Sequence, residues 1–191
     1  MQAATQPLAD DCALRGSLLF RNFELSSDRA REINDVLGTA HDVPEPLYAS
    51  LLEELETLCP VRQFLTHNLV VLTGRSVLAG LLIGETTYTG AINYGALGSG
   101  SAAPASSDTQ LGTEVKRKLY ARRTHSSNQA GLDFFFSKAD TSGTYNEFGL
   151  FIDGTSVANS GQLFNRALTG GWTKSSSEAM TVSITINVNA S

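Results

Sequence analysis

The clearest pattern in the chain lies near its end. Met180, Val182, Ile184, Ile186 and Val188 alternate there with Thr181, Ser183, Thr185, Asn187 and Asn189. A period of two sustained this long predicts a strand with one buried face and one wet face. Val182, Ile184, Ile186 and Val188 are expected inside, and Thr181, Ser183, Thr185 and Asn187 outside. Upstream, apolar runs predict further strands over residues 69–72, 91–97, 113–124, 131–138 and 145–153. Asp140-Thr141-Ser142-Gly143 has the chemistry of a hairpin turn and Asp153-Gly154 marks the next one. A compact helix is expected over 75–83, with Val77, Leu78, Leu81 and Leu82, ending at Gly84. GSGSAAPASSDTQ, residues 98–110, reads as a long polar loop. Strands joined by short turns argue for an antiparallel sandwich over a parallel α/β sheet.

Before residue 64 the period is helical. Ser26-Ser27-Asp28 resembles an N-cap followed by Ala30, Ile33, Val36 and Leu37, with Gly38 as the stop. Pro44-Glu45-Pro46 suits a second helix start, where proline and an acid both fit the first turn. Leu47, Leu51, Leu55 and Leu58 form its stripe, Tyr48 and Leu52 lie beside it, and Pro60 closes it. Such a stripe packs either on the protein's own body or on another copy, and it is too short to claim a coiled coil. Leu18-Leu19-Phe20, with Phe23 and Leu25, is too short to make a core alone. The expected fold is therefore mainly β: an antiparallel, jelly-roll-like β-sandwich over 64–191, with residues 1–63 as an acidic arm of two short helices that docks on something else. Leu18, Leu19, Phe20, Phe23, Leu51 and Leu55 are the candidate docking contacts, and a fragment starting near Val61 is expected to fold without them.

Composition sharpens this division. Seventeen glycines against five prolines suit a chain full of turns, and the formal net charge is −5. Residues 1–63 hold eleven acids against five bases, while the remainder holds eight against nine. That balance gives no electrostatic reason to expect nucleic acid as a partner. No run reaches the ~20 apolar residues of a membrane span. The opening MQAATQPLADDC has neither the basic nor the apolar region of a signal peptide, so assembly in a cytoplasm is expected.

Candidate chemistry is sparse. Cys12 and Cys59 fit no zinc spacing, and His41, His67 and His125 stand alone. The glycines from Gly95 to Gly100 follow a strand as a phosphate loop does, yet no Gly-Lys-Ser/Thr follows and no helix opens. Carboxylates are scattered without a spacing that argues for acid–base work. No enzyme activity, metal or cofactor is expected. The one basic cluster is Lys116-Arg117-Lys118 with Arg122-Arg123, and alternation puts Lys116, Lys118 and Arg122 on one side of a strand. It is either a patch for an acidic partner or a solvated edge strand whose lysines discourage pairing.

Several segments in a fixed order resemble a known family. They are Asn68-Leu-Val-Val-Leu-Thr-Gly-Arg-Ser-Val-Leu-Ala-Gly-Leu-Leu, Tyr94-Gly-Ala-Leu-Gly-Ser-Gly-Ser-Ala-Ala-Pro, Ser107-Asp-Thr-Gln-Leu-Gly-Thr-Glu-Val, Tyr145-Asn-Glu-Phe-Gly-Leu-Phe and the closing run from Thr181 to Val188. Over about residues 64–189 the chain resembles tailed-bacteriophage virion proteins of the tail, tail-fibre and minor structural type. The resemblance implies a virion part with other virion proteins as partners, commonly trimeric, either in the tail or baseplate or as capsid decoration. A carbohydrate-binding module is the rival from another class, and the single Trp172 argues against it. In physical terms the glycines open backbone conformations closed to other residues, and Glu147 is placed to accept hydrogen bonds from backbone near a strand end.

Overall fold

The computed structural model describes residues 13–39 and 43–189. In chain order these form β1 (Ala13–Glu24), α1 (Asp28–Thr39), α2 (Glu45–Leu58), β2 (Val61–His67), β3 (Leu69–Val70), α3 (Leu72–Leu82) and β4 (Ile92–Gly98). There follow β5 (Glu114–Leu119), β6 (Arg122–Ser126), β7 (Gln129–Phe136), β8 (Gly143–Ile152), β9 (Gln162–Lys174) and β10 (Glu178–Asn189). One antiparallel sheet has the order β2-β1-β10-β7-β6 and the other β3-β9-β8-β4-β5. They pack as a sandwich. Between them lie Leu18, Phe20, Leu132, Phe134, Phe148, Leu150, Phe164, Val182 and Ile184, all buried. Phe148 is the hub of that layer: the Phe20 ring meets it edge-on at 5.8 Å and Phe134 at 5.9 Å, the tilted geometry aromatic quadrupoles favour.

The front of the chain is not a separate arm. β1 pairs with β10 along its whole length, from Ala13 opposite Asn189 to Glu24 opposite Glu178, and with β2 on its other side. Leu18 and Phe20 point into the sandwich and Phe23 points out, each fully buried. A strand buried on both faces loses the alternation that would have marked it, which is why Leu18-Leu19-Phe20 reads as an isolated apolar run.

The two early helices form at nearly the expected positions and cover part of the outer face of the β1–β10 sheet. Ile33, Leu37, Tyr48, Leu51, Leu52 and Leu55 pack there with Phe23, Phe135 and Ala179. α2 is turned so that Tyr48 and Leu52 join the buried face while Leu47 and Leu58 stay exposed. The Arg122 guanidinium lies 5.4 Å from the Tyr48 ring centre and anchors that orientation. α1 runs through Gly38 to Thr39, where the buried Asn34 side chain accepts a 2.8 Å bond from the Lys138 amide. Leu51 and Leu55 therefore face the protein's own sheet.

Three further expectations change in register. Residues 113–124 are two strands, because β5 pairs with β4 in one sheet and β6 with β7 in the other. The crossing is held by Tyr120 donating to Asn93 O at 3.1 Å and Ala121 donating to Asp133 O at 2.7 Å. The turn over 140–143 likewise carries the chain from β7 to β8 in opposite sheets and closes no hairpin. In β10, Val182, Ile184 and Ile186 are buried as expected, whereas Val188 is 49% exposed and Thr181 is fully buried. Val188 lies at the strand's end, and Thr181 sits beside Phe135 on the face the helices cover. β1, β2 and β9 fall outside the strands that the sequence pattern predicts.

A fragment that begins at Val61 lacks β1 and so leaves β10 and β2 without a shared neighbour. It also loses Leu18 and Phe20 from the core, at about 1.5–3 kcal/mol per side chain. Circular-dichroism melting should show no cooperative transition for this fragment, and a melt like that of the full chain would refute the placement of β1.

Candidate functional site

The outer face of the second sheet is covered by the polar loop between β4 and β5, and a buried carboxylate holds the loop down. Glu147 on β8 is fully buried. Its Oε1 accepts from the Gly100 and Thr113 amides, both at 2.9 Å, and its Oε2 from the Gly112 amide at 3.1 Å. Arg166 on β9 donates to the same carboxylate from Nε at 2.6 Å, to Asp108 Oδ2 at 2.8 Å and to Ala102 O at 2.9 Å. One carboxylate and one guanidinium thus anchor five points of the loop. The glycines make room for this: a Cβ on Gly98 would lie 2.6 Å from Glu147 Oε1, and one on Gly100 would overlap the same oxygen. Burial alone would raise the Asp108 carboxyl, but the Ala105 amide and the Arg166 guanidinium outweigh it and hold the carboxyl below its ordinary range. Beneath the loop, Leu111 joins Val71, Ala96, Phe151 and Leu163 in a small apolar cluster.

Four of the five basic groups of the cluster are paired with acids of the fold, while Arg123 is exposed and lies 5.0 Å from the Tyr120 ring centre. Lys116 and Lys118 reach opposite oxygens of Asp140 at 3.0 and 3.2 Å. Asp140 also accepts from the Ser137 amide at 2.8 Å, which pins the β7–β8 crossing to β5. Burial would raise the Asp140 carboxyl, and the two ammonium groups reverse that and lower it. Arg117 grips Glu114 through two bonds of 2.6 and 2.7 Å and lies 4.6 Å from the Phe151 ring centre. Arg122 is tied to Asp133 at 2.6 Å. The partners that the spacing left open for Lys116, Lys118 and Arg122 are therefore acids of the same chain.

Of the docking candidates, Leu18, Phe20, Phe23, Leu51 and Leu55 are buried, and Leu19 is half-buried on β1. His67 and His125 are exposed, while Cys12 and His41 lie outside the described residues. Cys59 is a buried free thiol, pushed up by burial. Among the described residues no three metal-ligating side chains cluster, and no helix is long and apolar enough to cross a membrane. An open groove of about 400 Å³ runs between β4 and the β6–β7 pair, with Ile92 and Leu132 on its walls and Arg123 and His125 among its polar groups. Trp172 stacks on Phe64 at 5.8 Å, lies under Arg62 and donates to Asn22.

The helix expected over 75–83 forms as α3, one turn earlier at Leu72–Leu82, and what the sequence pattern does not show is which of its faces stays uncovered. Its inner face meets β9 so closely that a Cβ on Gly74 would lie 2.5 Å from Phe164 O, and Val77 packs into the main core. Its outer face is apolar too: Leu72, Leu82 and Ile83 are 60%, 87% and 79% exposed. The signal is present in LTGRSVLAGLLIG, where Leu72, Ala79, Leu82 and Ile83 lie outside the Gly74, Val77 and Leu81 face and leave apolar surface to cover.

Glu147→Gln removes the charge that Arg166 faces in a dry site, and breaking such a pair costs about 3–5 kcal/mol. Limited proteolysis should then cut between Gly98 and Thr113, where the native chain resists; an unchanged melt and digest would overturn the anchoring role. A second expectation concerns acid. A carboxyl whose folded pKa lies below its unfolded value contributes stability that is complete above the unfolded value and lost as pH falls through the folded one. Asp108 and Asp140 are both lowered from 3.8. The melting temperature should therefore lose their contribution only below about pH 4. Lys116→Met with Lys118→Met should flatten that acid limb, which melts between pH 2 and 7 would reveal.

No family model, no curated protein and no solved structure matches this chain.

Proposed function

We propose that the chain is a structural component of a tailed-phage virion: a tail, baseplate or fibre-base protein that works by contact with other virion proteins. The observation that carries this reading is a convergence. The segments that bear the resemblance lie far apart in sequence, yet Gly98, Gly100, Gly112, Thr113 and Glu147 meet around one carboxylate. Motifs that depend on one another physically make a more specific resemblance than the same motifs scattered over a surface. A loop anchored by buried charge is also a rigid surface, which suits a part that must hold its shape in a particle. Leu18, Phe20 and Phe23 fill the protein's own interior and do not serve attachment.

Capsid decoration is the second reading, since a sandwich with exposed apolar surface serves either place. The carbohydrate-binding reading weakens further, because Trp172 is engaged by Phe64, Arg62 and Asn22 and offers no free platform for a sugar ring. Quantitative mass spectrometry of gradient-purified particles, from a phage that encodes this chain, tests the proposal. Few copies per particle are expected for a tail part, whereas a count rivalling the major shell protein would favour decoration. A chain found in the soluble lysate and absent from particles would overturn both.

A further inference from the structure

α3 packs on β9 through Gly74 and Val77, with Leu81 half-buried beside them. On its opposite side runs a second stripe. At 3.6 residues per turn, Ser76, Ala79 and Ile83 fall within about 40° of Leu72, and Arg75 and Leu82 flank them. Six consecutive positions of that face are exposed, and three of them are large aliphatics. An apolar patch of this kind on a folded chain marks a contact surface, whereas single exposed leucines need no explanation.

We propose that this face is an interface between two copies of the chain, their α3 helices packed antiparallel across a two-fold axis. The stripe is self-complementary under that operation. Leu72 of one copy comes opposite Ile83 of the other, and Ser76 comes opposite Ala79, so bulky ends meet bulky ends and the small residues let the helices approach. Charge favours the same occupant. The chain carries −5, and copies repel wherever their acids face one another. The stripe itself holds no acid, so the centre of the contact opposes no carboxylates; Arg75 lies along one side of it, and Glu85, whose carboxylate folds back to Gly80, along the other. The area fits a modest dimer: Leu72, Leu82, Ile83 and their neighbours offer roughly 500 Å² per copy, which puts a pair near the ~1,000 Å² at which specific interfaces begin. A two-fold contact builds pairs, not the trimer that the family resemblance implies.

Sedimentation velocity of the full chain from about 1 to 100 μM should show a reversible shift from 20.4 kDa to twice that mass. Leu82→Asp with Ile83→Asp should weaken the pairing at least about 100-fold while leaving the melting temperature of the dilute protein unchanged, because both side chains are already in water. Orientation has its own readout. In a background with Cys12 replaced by Ser, Ser76→Cys mixed with Ala79→Cys should cross-link to each other faster than either does to itself. A chain that stays monomeric at the highest concentration overturns the proposal. So does a dimer indifferent to the two aspartates, a trimer, or a preference of Ser76→Cys for itself.

Discussion

The pairing of β1 with β10 brings the first described strand against the last, and twelve residue pairs run without a register break. Closing the chain end to end this way costs loop entropy that grows only slowly with length, and it creates the central strands of one sheet. Their inward side chains, Leu18 and Phe20 from β1 and Val182 and Ile184 from β10, make one wall of the main core. Their outward side chains, Phe23 and Ala179, make the seat for α1 and α2. Both layers on that side of the molecule therefore depend on one ladder.

The second sheet solves the same problem of a partly apolar outer face in a different way. Among the described residues, the loop between β4 and β5 covers Ala96, Phe151 and Leu163, through Leu111. A loop cannot satisfy its own amides as a helix can, so burying one demands acceptors from outside it. Glu147 supplies them, and Arg166 compensates Glu147 and reaches on to Asp108 and Ala102. The cost is tolerance: a side chain on Gly98 or Gly100 would occupy the space the carboxylate needs.

Among the described residues, these two coverings leave the far side of α3 without a partner. Its glycine lets it lie close on β9, and its outer leucine and isoleucine are left in water. Elsewhere the charged groups that looked available for partners are paired internally, as Lys116 and Lys118 are with Asp140. The exposed apolar surface of α3, and not the basic strand, is what the proposed contact between copies uses.

What residues dictate by themselves are the local periods. The alternation of β10, the places of α1, α2 and α3, and the glycine-rich loop before β5 are legible there, and with them the sandwich class; the buried face of α2 is not, since Leu47 and Leu58 are exposed and Tyr48 and Leu52 take their place. Sequence also singled out Glu147 as an acceptor for backbone near a strand end. It could not show that Arg166 and Asp108 complete that node, because nothing local relates a residue on β9 to one in a distant loop. The same holds for β1. Its apolar pattern has no period of two because the main core takes one face and the helices take the other, and only the packed structure supplies both. Likewise Thr181 is polar and buried, and Leu82 is apolar and exposed. Side-chain chemistry sets what burial of each would gain or cost, while which face is covered depends on neighbours that are remote in the chain.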